Sequence, residues 1–300
     1  MTDSLTTIVP IVGFFVLGVG LRRTGLASDS EGQFLLRLLF FVALPALIVG
    51  TVAGADLRPA KALLPVACVV VGLAGMALAW FIGHRRGLPP HRLGPMVLGT
   101  MILNDAFVIP FVAAGYGRDG LADLILFDLG NSMMAALVAF PLAYRFGGLD
   151  GDLTAAARRA ATAPITWALV VGLALNLTGT TVPEVADRFL SPLAALVAPL
   201  ILVALGVLFR PGLDDADLAA ITVAVRMVGG LAVGAALVAL FGFRGDTALV
   251  VLLCSASPIG FSALTFSSLA GLDTAVAARA VSASLVVGLV AVPLVVSATA

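Results

Sequence analysis

Two short clusters place residues able to hold an ion or a small polar ligand inside apolar surroundings. One is Asn104-Asp105, followed by Pro110; the other is Ser255-Ala256-Ser257-Pro258-Ile259-Gly260, with Ser262 just beyond. Proline removes an amide donor and clashes with the preceding helical turn, and neighbouring Asn and Ser side chains can satisfy the backbone groups it frees. Two helices broken this way would present half-helix ends. The amide ends carry partial positive charge and suit an anion, whereas the carbonyl ends suit a cation. Asp105 adds a carboxylate, and Asp128 shares a helix face with Asn131 and Ser132 through i+3 and i+4 spacing. Arg226 is the arginine expected deep inside an apolar run, a charge partner for either Asp or for an anionic ligand.

The elements that must position these residues follow from the composition. Of 300 residues, 61% are hydrophobic and 11% charged, and the mean hydropathy is +1.14. Soluble domains carry roughly a quarter charged residues, and a disordered chain needs far more polar residues than this. The apolar residues fall into ten runs, expected at 5–21, 32–52, 61–82, 93–115, 121–146, 164–179, 189–209, 217–241, 247–270 and 273–297. Each is long enough as a helix to approach the roughly 30 Å of a hydrocarbon core. Because the runs are continuously apolar and not alternating, a barrel is excluded, and the expected fold is an all-α integral membrane protein with ten transmembrane helices. An ionised Asp in mid-span costs roughly 2.5–3.5 kcal/mol on insertion scales. Asp105 is therefore expected to be protonated, paired or facing water.

Charge placement orients the chain. Arg22, Arg23, Arg85, Arg86, Arg92, Arg145, Arg158 and Arg159 fall in loops on one side, against Arg58, Lys61, Arg118, Arg188 and Arg244 on the other. The excess of basic residues marks the cytoplasmic side, so both termini are expected outside a cell membrane. Seventeen basic and seventeen acidic residues cancel, which gives no electrostatic footprint for nucleic acid. Cys68 and Cys254 lack metal or redox spacing, and His84 and His91 flank a basic loop. Neither a metal nor a cofactor is expected. An intramembrane enzyme is the rival from another class, but Gly-x-Ser-x-Gly and His-Glu-x-x-His are both missing.

The chain also repeats itself. At an offset of 154 residues Pro10 meets Pro164, Gly18 meets Gly172, Thr24-Gly25 meets Thr178-Gly179, and Pro45 meets Pro199. The same offset carries Phe107 onto Phe261, Gly117 onto Gly271, Asp119 onto Asp273, and Asn104 onto Pro258. Five spans is an odd number, so the second half would enter the membrane inverted, the design of many secondary transporters. The expected organisation is a first repeat at 1–146, a cytoplasmic linker at 147–163 and an inverted repeat at 164–300.

With these motifs the chain resembles the auxin efflux carrier family of membrane transporters, which has bacterial and plant members. The similarity is carried by Leu44-Pro45-Ala46-Leu47, by Asn104-Asp105-Ala106-Phe107 with Pro110, by Ser257-Pro258, and by the tail from Ala270-Gly271-Leu272-Asp273 to Val281-Ser282-Ala283-Ser284. The resemblance implies two inverted five-helix repeats with broken, crossing helices four and nine. It also implies elevator-like carriage of a small organic anion, such as an auxin-like or dicarboxylic acid. The family pattern places a Gly between the Phe and the Pro, which Phe107-Val108-Ile109-Pro110 lacks, and Asp105 after the Asn is unusual. On this reading Asn104, Asp105, Pro110, Asn131, Ser255, Ser257, Pro258 and Ser262 surround the substrate, with Asp105, Asp128 and Arg226 as coupling or charge partners. Expected partners are the organic anion, the lipid bilayer, protons or, in a rival of the bile-acid symporter type, sodium, and a second copy of the chain in a homodimer.

Overall fold

A computed structural model describes residues 2–149, 154, 158, 161–212 and 214–299. Most of the expected 147–163 linker, Arg159 included, lies outside the described residues. Among these the regular structure is helical, with one isolated antiparallel bridge, Leu103 to Ile259, and no strand. Helix α1 is Thr2–Arg23. Helix α2, Asp29–Leu38, passes through a π-helical turn, Leu39–Ala43, into α3, Leu44–Ala53. A 3-10 turn at Pro59–Leu63 leads into α4, Leu64–Arg85, followed by α5, Pro90–Met101, and α6, Asp105–Met134. A second π turn, Ala135–Ala139, joins α6 to α7, Phe140–Phe146. Then come α8, Pro164–Leu177, α9, Glu184–Ala195, α10, Val197–Val207, and α11, Ala216–Val223. A third π turn, Ala224–Gly229, precedes α12, Gly230–Phe241; the chain continues with α13, Gly245–Ser255, α14, Ser262–Leu269, and α15, Thr274–Thr299.

Helices form because an apolar chain away from water must pair its own amides and carbonyls. Local signals set their ends. Pro90 and Pro164 open α5 and α8 at the first helical position, where no intrahelical amide bond is lost. Ser28 and Glu31 form a reciprocal capping box at the start of α2. Among the described residues six stretches are long and apolar enough to cross a membrane: Asp29–Ala53, Lys61–Arg85, Asp105–Phe146, Glu184–Val207, Ala216–Phe241 and Thr274–Val296. The runs expected at 93–115 and 247–270 are each split in two, and the run at 164–179 is a shorter helix of 14 residues. No loop separates the expected spans four and five. A single residue, Gly117, at φ 60° and ψ −148°, turns the chain between them, a backbone state open to glycine.

The helices pack as two groups. One comprises α1, α2, α3, α8, α9 and α10, in which α1 lies along α10 and α3 along α8. The other comprises α4 to α7 and α11 to α15, with α4, α5, α6, α12, α13 and α15 around its centre. Contacts between the groups are made by α6 against α1, α3 and α10, and by α1 against α15. Helices α1 and α10 touch at Gly18 and Gly206, where a Cβ on Gly18 would meet the Val203 carbonyl and one on Gly206 would meet the Phe15 carbonyl. Small residues permit such approach in membranes, where packing rather than water expulsion holds helices together. Gly206→Val should therefore destabilise the purified protein by about 1–3 kcal/mol and lower its melting temperature. Gly20→Val, with open space at its Cβ position, should leave it unchanged.

Candidate functional site

The split runs meet in the second group. Between α5 and α6 the chain is extended at Ile102–Asn104, and between α13 and α14 it passes through Ala256–Phe261. The two segments cross and pair antiparallel. The Gly260 amide donates to the Ile102 carbonyl at 2.9 Å and the Asn104 amide to the Pro258 carbonyl at 3.0 Å. The remaining edges are closed by side chains. Asn131 on α6 grips the Leu103 peptide from both sides, its Oδ1 accepting from the Leu103 amide at 3.0 Å and its Nδ2 donating to the Leu103 carbonyl at 3.1 Å. Ser284 on α15 holds the other segment from one side. Its hydroxyl accepts from the Ile259 amide at 3.0 Å and donates to the Val281 carbonyl at 2.7 Å.

Asn104 caps α6, with Oδ1 accepting from the Phe107 amide at 3.2 Å and Nδ2 donating to the Ile259 carbonyl at 3.4 Å. Asp105 follows as the first helical residue, where the helix dipole favours negative charge. It is 1% exposed, and neither carboxylate oxygen makes a hydrogen bond. Asp128 and Ser257 lie close to it without bonding geometry, and Arg226 acts on it through space. The buried hydroxyls of Ser255 and Ser257 also have no hydrogen-bond partner. Two buried thiols, Cys68 on α4 and Cys254 on α13, are within the electrostatic reach of Asp105. The crossover thus holds three polar side chains whose hydrogen-bonding capacity is unused.

Arg226 lies in the π turn between α11 and α12 and is fully buried. Its guanidinium donates to three carbonyls: Ser257 from Nε at 3.2 Å, Thr100 from Nη1 at 3.3 Å, and Ser255 from Nη2 at 2.5 Å. It therefore binds the carbonyl ends of α5 and α13 and forms no direct ion pair with Asp105 or Asp128.

The remaining expected residues have distinct placements. Pro258 lies in the gap itself. Pro110 does not; it sits inside α6, past its first turn, where it removes one backbone bond of a continuous helix. The first break is made instead by Asn104, whose backbone and side chain exchange helical bonds for bonds to the other segment. Asn131 reaches Asp128 Oδ1 at 2.9 Å as well as Leu103, so its amide is committed to holding the backbone. Ser262 opens α14 and is partly exposed, and Ser132 is exposed. Arg279, near the start of α15, is paired with Asp214 at 3.1 Å and Asp215 at 2.7 Å. Asp215 also pairs with Arg92, and it is the non-glycine residue with positive φ among the described residues, at 51°.

Sequence reading missed Thr100 and Ser284, since a single Thr or Ser in a helix is usually packing. It also missed Asp123, 2% exposed and paired with Lys61 at 2.7 Å, with the Thr247 hydroxyl donating to it at 2.5 Å. An acidic residue inside an apolar run was the available signal.

Residues 153–296 match the family described as Membrane transport protein. The chain is also 26% identical over 299 residues to an uncharacterized transporter of Methanothermobacter thermautotrophicus, an alignment covering 97% of each chain. By both comparisons the chain is similar to membrane transport proteins. The family match takes in α8 to α15, hence Arg226 and the second crossing segment, while the alignment with the relative extends over nearly the whole chain.

The Asn131 clamp can be tested alone. Asn131→Leu leaves the Leu103 amide and carbonyl unpaired in a buried setting, an expected cost on the order of 3 kcal/mol. The purified protein should melt at a clearly lower temperature, whereas Ser132→Ala, one residue on but exposed, should melt like the parent.

Proposed function

We propose that this protein is a secondary carrier that moves a small organic anion, such as an auxin-like or dicarboxylic acid, across the cell membrane, with the crossover as its substrate site. The observation that carries the reading is the set of buried groups without partners there, the Asp105 carboxylate and the Ser255 and Ser257 hydroxyls, beside two amide ends at Asp105 and Ser262. A buried polar group without a partner is costly, and a polar ligand would supply the missing bonds. Asn104 would contact the ligand from the cap of α6.

Ten crossings and an inverted repeat fit this role. On this reading α1, α8, the α5–α6 pair up to Gly117 and the α13–α14 pair join the six long stretches as spans. Support for the repeat comes from features that recur 154 residues apart: the interruption at Ile102–Asn104 and that at Ala256–Pro258, and turns at Gly25 (φ 76°) and Gly179 (φ 65°). Gly117 (φ 60°) and Gly271 (φ 67°) are a further pair. The repeats would be 1–146 and 164–300, joined by a cytoplasmic linker, with both termini outside. Elevator-like motion would slide the crossover group, α4 to α7 with α11 to α15, against the other six helices.

Protons are the proposed coupling ion. Asp128 lies close to Asp105, which sits at the amide end of α6, and on this reading one of the two carboxylates takes up a proton as the anion arrives. Arg226, Cys68 and Cys254 are the other titratable groups around Asp105.

Uptake of radiolabelled carboxylates into proteoliposomes tests the reading. Asn104→Ala should lower uptake roughly tenfold, the equivalent of one lost cap and one lost polar contact, while the protein remains folded. Retained uptake would remove Asn104 from the site. An inward proton gradient should accelerate the parent protein, and Asp105→Asn should abolish that response. Uptake indifferent to pH in both proteins would dismiss the proton role.

A further inference from the structure

We infer that Arg226 is a tethered cation that fills the position a dissolved coupling cation would otherwise occupy at the crossover, so that the carrier works without sodium or any other metal cation. The inference rests on the crossover being the substrate site and names how that site balances its charge.

The argument starts from the carbonyl ends. Helices α5 and α13 both finish at the crossover, and each brings roughly half a negative charge on carbonyls that lack helical amide partners. Two such ends facing one another in a dry interior form a ready cation site, and the sum of about one negative charge calls for one positive charge. The Thr100, Ser255 and Ser257 carbonyls that would ligate a metal cation are the same three that accept hydrogen bonds from the Arg226 guanidinium. The guanidinium is planar with a rigid fork of donors, which suits several carbonyl oxygens at once better than a lysine ammonium would.

Independent features of the chain make room for this arrangement. Arg226 emerges from the π turn Ala224–Gly229, whose extra residue per turn redirects side chains and which is common at functional positions. Four residues on, Gly230 lies against the Ser255 carbonyl and the guanidinium, and a Cβ there would strike both. Arg226 makes no ion pair with Asp105, so it serves the helix ends first and acts on the Asp105 carboxylate through space. A cation that cannot dissociate carries no gradient energy. The carrier is then driven by the anion's own gradient or by protons.

The test uses the full chain, purified and reconstituted. For the parent protein, replacing sodium by N-methylglucamine should alter neither the melting temperature nor the rate of carboxylate uptake. Arg226→Ala should melt lower and lose uptake by roughly tenfold or more, as expected for a lost charged hydrogen-bond donor. Millimolar methylguanidinium or sodium should then raise its melting temperature saturably, with no such effect on the parent. Sodium-dependent stabilisation or uptake in the parent would overturn the inference, as would an Arg226→Ala protein that folds but responds to none of these cations. If Arg226→Ala does not accumulate, the parent comparison decides alone. Melting reads cation binding without transport, so a saturable response in Arg226→Ala together with carboxylate uptake indifferent to every crossover substitution would discard the substrate-site reading and keep the tethered cation.

Discussion

Where a helix stops inside a water-poor interior, its open amides and carbonyls must find partners, and the centre of this protein is organised by that demand. Two helices are interrupted side by side, and the extended residues between their halves pair with each other through Ile102–Gly260 and Asn104–Pro258 bonds. Asn131 and Ser284 close the outer edges, and Arg226 takes the carbonyl ends. Protein groups thereby supply partners to both crossing segments and to both carbonyl ends. What stays open is a small set of side-chain groups, the Asp105 carboxylate and two serine hydroxyls. A buried polar group without a partner is costly, and these three lie together at the crossover.

Charge at the crossover follows the same geometry. The dipoles of four half-helices point their opposite ends into one region, so a positive side chain and negative side chains can be held close together without forming an ion pair. Arg226 serves the carbonyl ends and Asp105 the amide end of α6. A direct pair between them would have neutralised both and left the helix ends bare. Elsewhere the charges do pair: Lys61 with Asp123 inside the protein, and Arg92 and Arg279 with Asp215 in the connection between α10 and α11. That connection joins the two helix groups, and Asp215 holds a left-handed backbone between two arginines.

Much of this was legible in the residues because lipid leaves few options. Continuous apolar runs predicted helices, and the Asn104-Asp105 and Ser257-Pro258 clusters located both interruptions to within a few residues. Pro110 misled, because proline is a common cause of broken helices, whereas here the break precedes it and is made by a capping Asn paired to a distant segment. Asn131 was expected to bind substrate since it shares a helix face with Asp128. Its amide completes the hydrogen bonds of Leu103, a role visible only once the extended backbone lies alongside α6. Thr100 carried no signal at all, because its contribution is a carbonyl oxygen, and every residue has one.

By itself, then, the order of residues determined the helical class, the family likeness, the approximate sites of the two breaks and the short list of charges inside the apolar runs. These depend on local composition and on hydrophobicity over lengths of about 20 residues, which a linear reading can follow. Tertiary structure alone decided what those charges do. Arg226 could have met Asp105, Asp128 or a ligand, and the packing of α12 against α13 at Gly230 delivers it to three carbonyls instead. The reason is physical: helix-end dipoles act only where the ends converge, and their convergence is a property of the packed molecule, not of any one segment.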